Sequence, residues 1–165
     1  MSTANIYILR HATPERTDVP NRERPLSNRG RHQANALVPI LEGLDLSAIY
    51  ISPFAGTRQT VDPFARSASL SIVEREDIRE STNDEPIPDV SNRMLSAIHD
   101  IITSHPVENV LICTHGGCTW GVLYHFDSTF DYDDYKTIRT PDLFRVTVSD
   151  GDLSHDATYR LPDLA

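Results

Sequence analysis

Three observations predict a single α/β domain in three layers, with a mostly parallel central sheet and helices on both faces. Short apolar runs recur at residues 5–9, 48–51, 70–73 and 107–113. Helix-periodic segments separate them, and parallel strands need crossovers of that length. A hairpin signal, Ser149-Asp150-Gly151-Asp152, closes the series, which suits a parallel sheet with an antiparallel end. A length of 165 residues fits one domain over 1–165, large enough for a core without staples.

Each element has its own local reason. Residues 5–9 read as a buried strand, and the charged, proline-containing stretch 12–25 as a loop. Ser27 is an N-cap for a helix whose apolar face is Ala34, Leu37, Val38 and Leu41. Pro39 interrupts that face and predicts a kink or an early end, with Gly43 as the stop. After the strand at 48–51, Ser52-Pro53 turns the chain into a helix over 57–66, with Pro63 as its weak point, and 70–73 is the third strand. Residues 74–89 are too charged and proline-rich for a core and predict an exposed loop. A helix over 89–104 follows, with Val90, Met94, Ala97, Ile98 and Ile101 on one side, ended by His105-Pro106. The strand at 107–113 leads to Gly116-Gly117, which open a helix through Phe126. Residues 127–134 read as a solvated acidic loop, 143–148 as an edge strand and 157–161 as the last strand.

Composition narrows the partners. The formal net charge of −9 repels nucleic acid and anionic membranes at long range, so any anion site must rest on a local positive field. No run reaches the ~18 apolar residues of a membrane span, and Met1-Ser2-Thr3-Ala4-Asn5 lacks the features of a signal peptide. Cys113 and Cys118 are the only cysteines, in or beside an apolar run, which suits a reducing compartment. The expected location is the cytoplasm. Oligomeric state leaves no signal.

Arg10 and His11 stand where the first strand ends, and His115 stands after the strand at 107–113. Ligands of open α/β sheets bind at the carboxyl ends of strands, so a parallel sheet can bring these distant residues to one edge. No metal-ligand spacing is present, and the site is read without metal or cofactor. His32, His99, His105, His125 and His155 form no arrangement, and Trp120, Tyr124 and Phe126 read as core.

Arg10-His11-Ala12 resembles the arginine-histidine-glycine signature of the histidine phosphatase superfamily, the phosphoglycerate mutase-like enzymes. Pro25-Leu26-Ser27 with Gly30, Gln33 and Ala34 is similar to a further motif, as are Ser52-Pro53-Phe54 with Gln59-Thr60, Glu76-Asp77-Ile78-Arg79-Glu80, and Thr114-His115-Gly116-Gly117. They follow the family's order over about residues 5 to 125, and Pro141-Asp142-Leu143-Phe144 resembles the tail of compact bacterial members. The short interval from His11 to Pro25 is similar to the compact phosphatases rather than the mutases.

The resemblance implies a metal-independent phosphatase acting on phosphate monoesters through a phosphohistidine on His11. Its substrate would be a small phosphorylated molecule, with a phosphoprotein, including a phosphohistidine protein, within the same class. Arg10 and His115 would hold the phosphoryl oxygens, Glu80 would protonate the leaving group, and Thr13 would touch the phosphate. Beside Arg10 and a second imidazole, a protonated His11 is disfavoured, which keeps a ring nitrogen available near pH 7.

One departure bears on all of this. The family carries a second phosphate-binding arginine four residues after the serine of Ser52-Pro53, and here that position is Gly56. Arg58 is the nearest replacement on the helix and a candidate phosphate ligand, although two residues turn a helix by about 200°. Arg16, Arg22 and Arg24 on the loop are the other candidates. The alternatives to a phosphatase are a mutase-like phosphotransferase and a ligand- or partner-binding module whose chemistry Gly56 has weakened.

Overall fold

The computed structural model describes residues 3–164; Met1, Ser2 and Ala165, and the leader reading over the first two, lie outside them. Six strands form one sheet in the order β3-β2-β4-β1-β5-β6. These are β1 (Thr3–Arg10), β2 (Leu46–Ile51), β3 (Ile72–Glu74), β4 (Asn109–Thr114), β5 (Asp142–Ser149) and β6 (Asp152–Asp156). β1 to β4 run parallel, while β5 and β6 are antiparallel additions beside β1.

Alternation along the central strands divides the core into two faces. Ile6, Ile8, Val110 and Ile112 pack with Val90, Met94, Ile98, Ile101 and Val122. These last belong to α3 (Ile87–Ser104) and α4 (Gly116–Phe126). Tyr7, Leu9, Leu111 and Cys113 face the other way, against Leu37, Leu41, Val61 and Phe64, from α1 (Asn28–Glu42) and α2 (Ala55–Ala68). Full burial of each such aliphatic side chain contributes about 1.5–3 kcal/mol.

The site follows from this topology. β1 and β4 are neighbours, but the chain leaves β1 toward α1 on one face and leaves β4 toward α4 on the other. A crevice opens between two parallel strands whose continuations diverge, and residues just past both strand ends line it.

Several local expectations are corrected. α1 does not end at Pro39 but continues to Glu42, without the hydrogen bond that the proline nitrogen cannot donate. α2 contains Pro63 and starts at Ala55, and α3 starts at Ile87. β5 is an interior strand, paired on both sides, because β6 covers its outer edge. β6 ends before residue 157, since Asp150 and Gly151 (φ 51° and 84°) make a two-residue turn that starts the strand at once. The segment 74–89 is not simply exposed: Ile78 is fully buried, and Arg93 donates to the Asp77 and Arg79 carbonyls at 2.8 and 3.1 Å. The acidic stretch after α4 forms one further helical turn, α5 (Tyr132–Tyr135), with Asp131 and Asp134 in a reciprocal capping box.

Gly30 lets α1 press onto the loop after β1. A Cβ there would lie 2.1 Å from the Thr13 carbonyl oxygen. Gly30→Ala should therefore destabilise the protein by about 1–3 kcal/mol through overpacking, read from urea unfolding; an unchanged midpoint would show that the contact is not tight.

Candidate active site

β1 ends at Arg10, opposite Thr114 in the β1–β4 register. One step further, the His11 N–H donates to the Thr114 carbonyl at 3.1 Å, and Ser52 N–H donates to the Cys113 carbonyl at 3.1 Å. The ladder thus continues past the strands and sets three loop starts side by side. The His11 and His115 rings lie 5.3 Å apart between centroids, inclined at 67°.

Backbone pins from both outer helices hold the His11 loop. Ala12 N–H donates to Thr60 Oγ1 at 3.0 Å, Thr13 N–H to Gln33 Oε1 at 3.0 Å, and Leu26 N–H to Gln59 Oε1 at 2.7 Å. Ser27 Oγ donates to the Thr13 carbonyl and accepts the Gly30 N–H, so the helix cap also ties down the loop.

The two imidazoles are held in different ways. His11 Nδ1 is 2.7 Å from the Ala12 carbonyl, an acceptor only, so Nδ1 carries the proton and Nε2 keeps its lone pair. Burial lowers the His11 pKa, the Ala12 hydrogen bond raises it in part, and the Arg10 charge lowers it; the result is below 6.5. His115 is 3% exposed. Burial above all, then the charges of His11, Arg10 and Arg93, pushes its pKa down to about 2. Its Nε2 is 2.7 Å from Ser52 Oγ, which also accepts the Phe54 N–H. All three groups are satisfied when Ser52 donates to Nε2, leaving the His115 proton on Nδ1.

Arg10 lies across the start of α4. Its Nη1 donates to the Ile138 carbonyl at 2.7 Å, and the Tyr135 ring flanks it at 5.8 Å. A Cβ on Gly116 would come within 2.7 Å of the guanidinium, so a larger residue there would have to displace Arg10 from this position. Arg10 Nε is buried without a hydrogen-bond partner. Glu80 faces the same cleft, half-buried; burial raises its pKa, Arg24 and Arg10 pull it back, and the net shift is upward.

The cleft has a volume of about 250 Å³ and is lined by Arg10, His11, Arg24, Gly56, Glu80 and His115, among others. A wider groove of about 600 Å³ shares Asn21, Phe54 and Glu80 with it and is otherwise mostly polar, with Glu23, Ser81, Thr82 and Asn83. Four of the six residues expected at the site thus meet: Arg10, His11, Glu80 and His115. Arg58 does not join them. Its turn of the helix points it outward, where it pairs with Glu74 at 2.9 Å on an exposed surface. Thr13 is near but turned aside: its hydroxyl binds Thr140, and it lines a second cavity. Asn21, Phe54 and Thr140 also line the cleft; Phe54 lies inside a recognised motif, and the other two belong to the loops 12–25 and 127–140, which supply walls of the cleft. Among the described residues, no group of three or more His, Cys, Asp or Glu is placed to hold a metal ion, and no helix is long and apolar enough to cross a membrane.

A search of curated protein sequences gives no match. Solved structures do match. YhfR from Bacillus stearothermophilus superposes with a TM-score of 0.78 at 22% identity, covering 92% of this chain and 95% of that one. A phosphoserine phosphatase mutant from Entamoeba histolytica, in complex with phosphoserine, gives 0.76 at 13% identity over 93% and 95%. Mycobacterial glucosyl-3-phosphoglycerate phosphatase gives 0.74 at 14% over 93% and 97%. At these identities the likeness is one of fold, that of the phosphoglycerate mutase-like proteins. The sequence itself carries more, since a family model matches residues 6–85 and 81–155. With nearly the whole chain accounted for in this way, it belongs to the histidine phosphatase superfamily, branch 1.

Proposed function

We propose that this protein is a phosphatase that hydrolyses phosphate monoesters through a phosphohistidine on His11, without a metal. The observation that carries the reading is the His11–Ala12 hydrogen bond. It fixes the proton on Nδ1 and presents Nε2 as a nucleophile, beside the unpartnered edge of Arg10 and within 5.3 Å of the His115 ring.

The reaction balances with these groups alone. The Nε2 lone pair attacks phosphorus, the N–P bond forms as the P–O bond to the leaving group breaks, and Glu80 gives its proton to the departing oxygen. Arg10 and His115 donate to the non-bridging oxygens, whose charge shifts during transfer. Glu80, now a carboxylate, takes a proton from water as the water oxygen attacks phosphorus. The N–P bond then breaks, leaving inorganic phosphate and protonated Glu80. The polar outer groove supports a polar leaving group; the Entamoeba phosphatase, similar in fold, was solved with phosphoserine.

With excess chelator, the protein should release phosphate from para-nitrophenyl phosphate, and His11→Ala should fall to background. Equal release by the two would favour a binding module on the same fold. Glu80→Gln should lower kcat/KM about 10²–10⁴-fold for an alkyl phosphate, and much less for the nitrophenyl ester, whose leaving group needs no proton. In the wild type, alkyl phosphate hydrolysis should decline as pH rises through the upward-shifted Glu80 pKa. An alkaline limb that survives in Glu80→Gln would remove Glu80 from the role.

The buried imidazoles also make stability depend on pH. Both have folded-state pKa values below 6.5, so below that pH the unfolded chain binds more protons and stability falls. With its pKa at about 2, His115 should contribute a loss of about 2 kcal/mol between pH 6.5 and pH 5. Urea unfolding at the two pH values should show a smaller drop in His115→Asn than in the wild type; equal drops would contradict this account.

A further inference from the structure

A phosphoryl group in transfer carries charge on three oxygens, and Arg10 presents one guanidinium edge to it. The family's second guanidinium would come from the start of α2, where this chain has Gly56. The space there is open: a Cβ on Gly56 would lie 3.9 Å from the Arg24 carbonyl oxygen and 4.0 Å from His11 Cγ, ordinary contact distances. Arg58, two residues on, is outside the cleft and paired with Glu74. The helix therefore supplies no second cation.

The loop does. Of its three arginines, Arg16 is exposed, and Arg22 is bound to Glu76 and lies over the Phe54 ring at 5.1 Å. Arg24 differs from both. It is half-buried and lines the cleft with His11 and Glu80. Among the described residues its one protein acceptor is the Val19 carbonyl at 3.4 Å, and it makes no ion pair. Its Nε is buried with no partner, as is Arg10 Nε; these are the two buried side-chain polar atoms so stranded among the described residues. Leaving a buried donor unpaired costs about 1–3 kcal/mol, and both such donors belong to arginines lining one cleft.

Although it sits on a loop, Arg24 starts from a fixed backbone. Leu26 is fully buried and its N–H is held by Gln59. Glu15 N–H donates to the Pro25 carbonyl at 2.9 Å, and Pro14 bridges to Leu26. Only side-chain freedom remains to be lost on binding an anion, which is the condition for an effective electrostatic donor.

We propose that Arg24 is the second phosphate-clamping arginine of this site, a catalytic residue delivered by the 14–25 loop in place of one at Gly56. Its part in turnover rests on the phosphatase reading; its part in binding a tetrahedral oxyanion does not.

The test compares wild type, Arg24→Ala, Arg24→Lys, Arg58→Ala and Arg24→Ala/Gly56→Arg, each checked for an unchanged thermal midpoint. The readouts are para-nitrophenyl phosphate turnover, inhibition by vanadate, and binding of inorganic phosphate by calorimetry. Arg24→Ala should lose about 10²–10³ in kcat/KM and bind vanadate and phosphate at least tenfold more weakly. Arg24→Lys should fall between, and Arg58→Ala should match the wild type. Adding Gly56→Arg to Arg24→Ala should recover at least tenfold. Turnover and anion affinity of Arg24→Ala within threefold of wild type would overturn the proposal, as would an equal loss in Arg58→Ala. If the wild type shows no His11-dependent turnover but Arg24→Ala still abolishes phosphate binding, the clamp stands and the phosphatase reading falls. If turnover depends on His11 and is indifferent to Arg24, the reverse holds.

Discussion

The hydrogen bond from the His11 N–H to the Thr114 carbonyl, 3.1 Å long, is the contact on which the site depends. It extends the parallel β1–β4 ladder one residue past the strands, at the point where the chain leaves for opposite faces of the sheet. Two residues 104 positions apart, His11 and His115, are brought ring against ring by an ordinary backbone interaction. A sheet built in another strand order would carry the same side chains and no site.

Many of the remaining motif side chains are occupied with positioning. Gln33, Gln59 and Thr60 each accept a main-chain N–H from the loop that follows β1. Ser52 holds His115, and Gly30 and Gly116 make room for the Thr13 carbonyl and the Arg10 guanidinium. Positioning of this kind is worth as much as the reacting groups themselves, because a misplacement of about 1 Å can cost about 10²-fold in rate.

Electrostatics reconcile an acidic protein with the proposed anion site. The chain carries a net charge of −9, yet Arg10 and Arg24 both line one cleft, each with a buried Nε that no acceptor among the described residues meets. The local field then acts at short range, where solvent screens it least. Burial favours the neutral form of both imidazoles, and Glu80, whose burial outweighs its two cationic neighbours, holds its proton to higher pH than a solvated carboxyl would.

Order and type of the main elements were legible in the chain, because apolar periodicity, the Ser27 cap and the Asp150-Gly151 turn are local properties. So was the meeting of Arg10, His11, Glu80 and His115, through motif resemblance and the position of strand ends. Charge and proline content misled at residues 74–89, where the Ile78 side chain packs into the core and Thr114 and Arg93 bind the Ile78 and Asp77 carbonyls. A strand's neighbours likewise depend on the whole sheet, so the weak pattern of β5 suggested an edge although β1 and β6 flank it. The sequence alone therefore determined which chemistry-bearing residues exist and which secondary elements carry them. Only the tertiary structure decided which arginine faces the cleft, since a loop side chain takes its direction from packing partners that are remote along the chain.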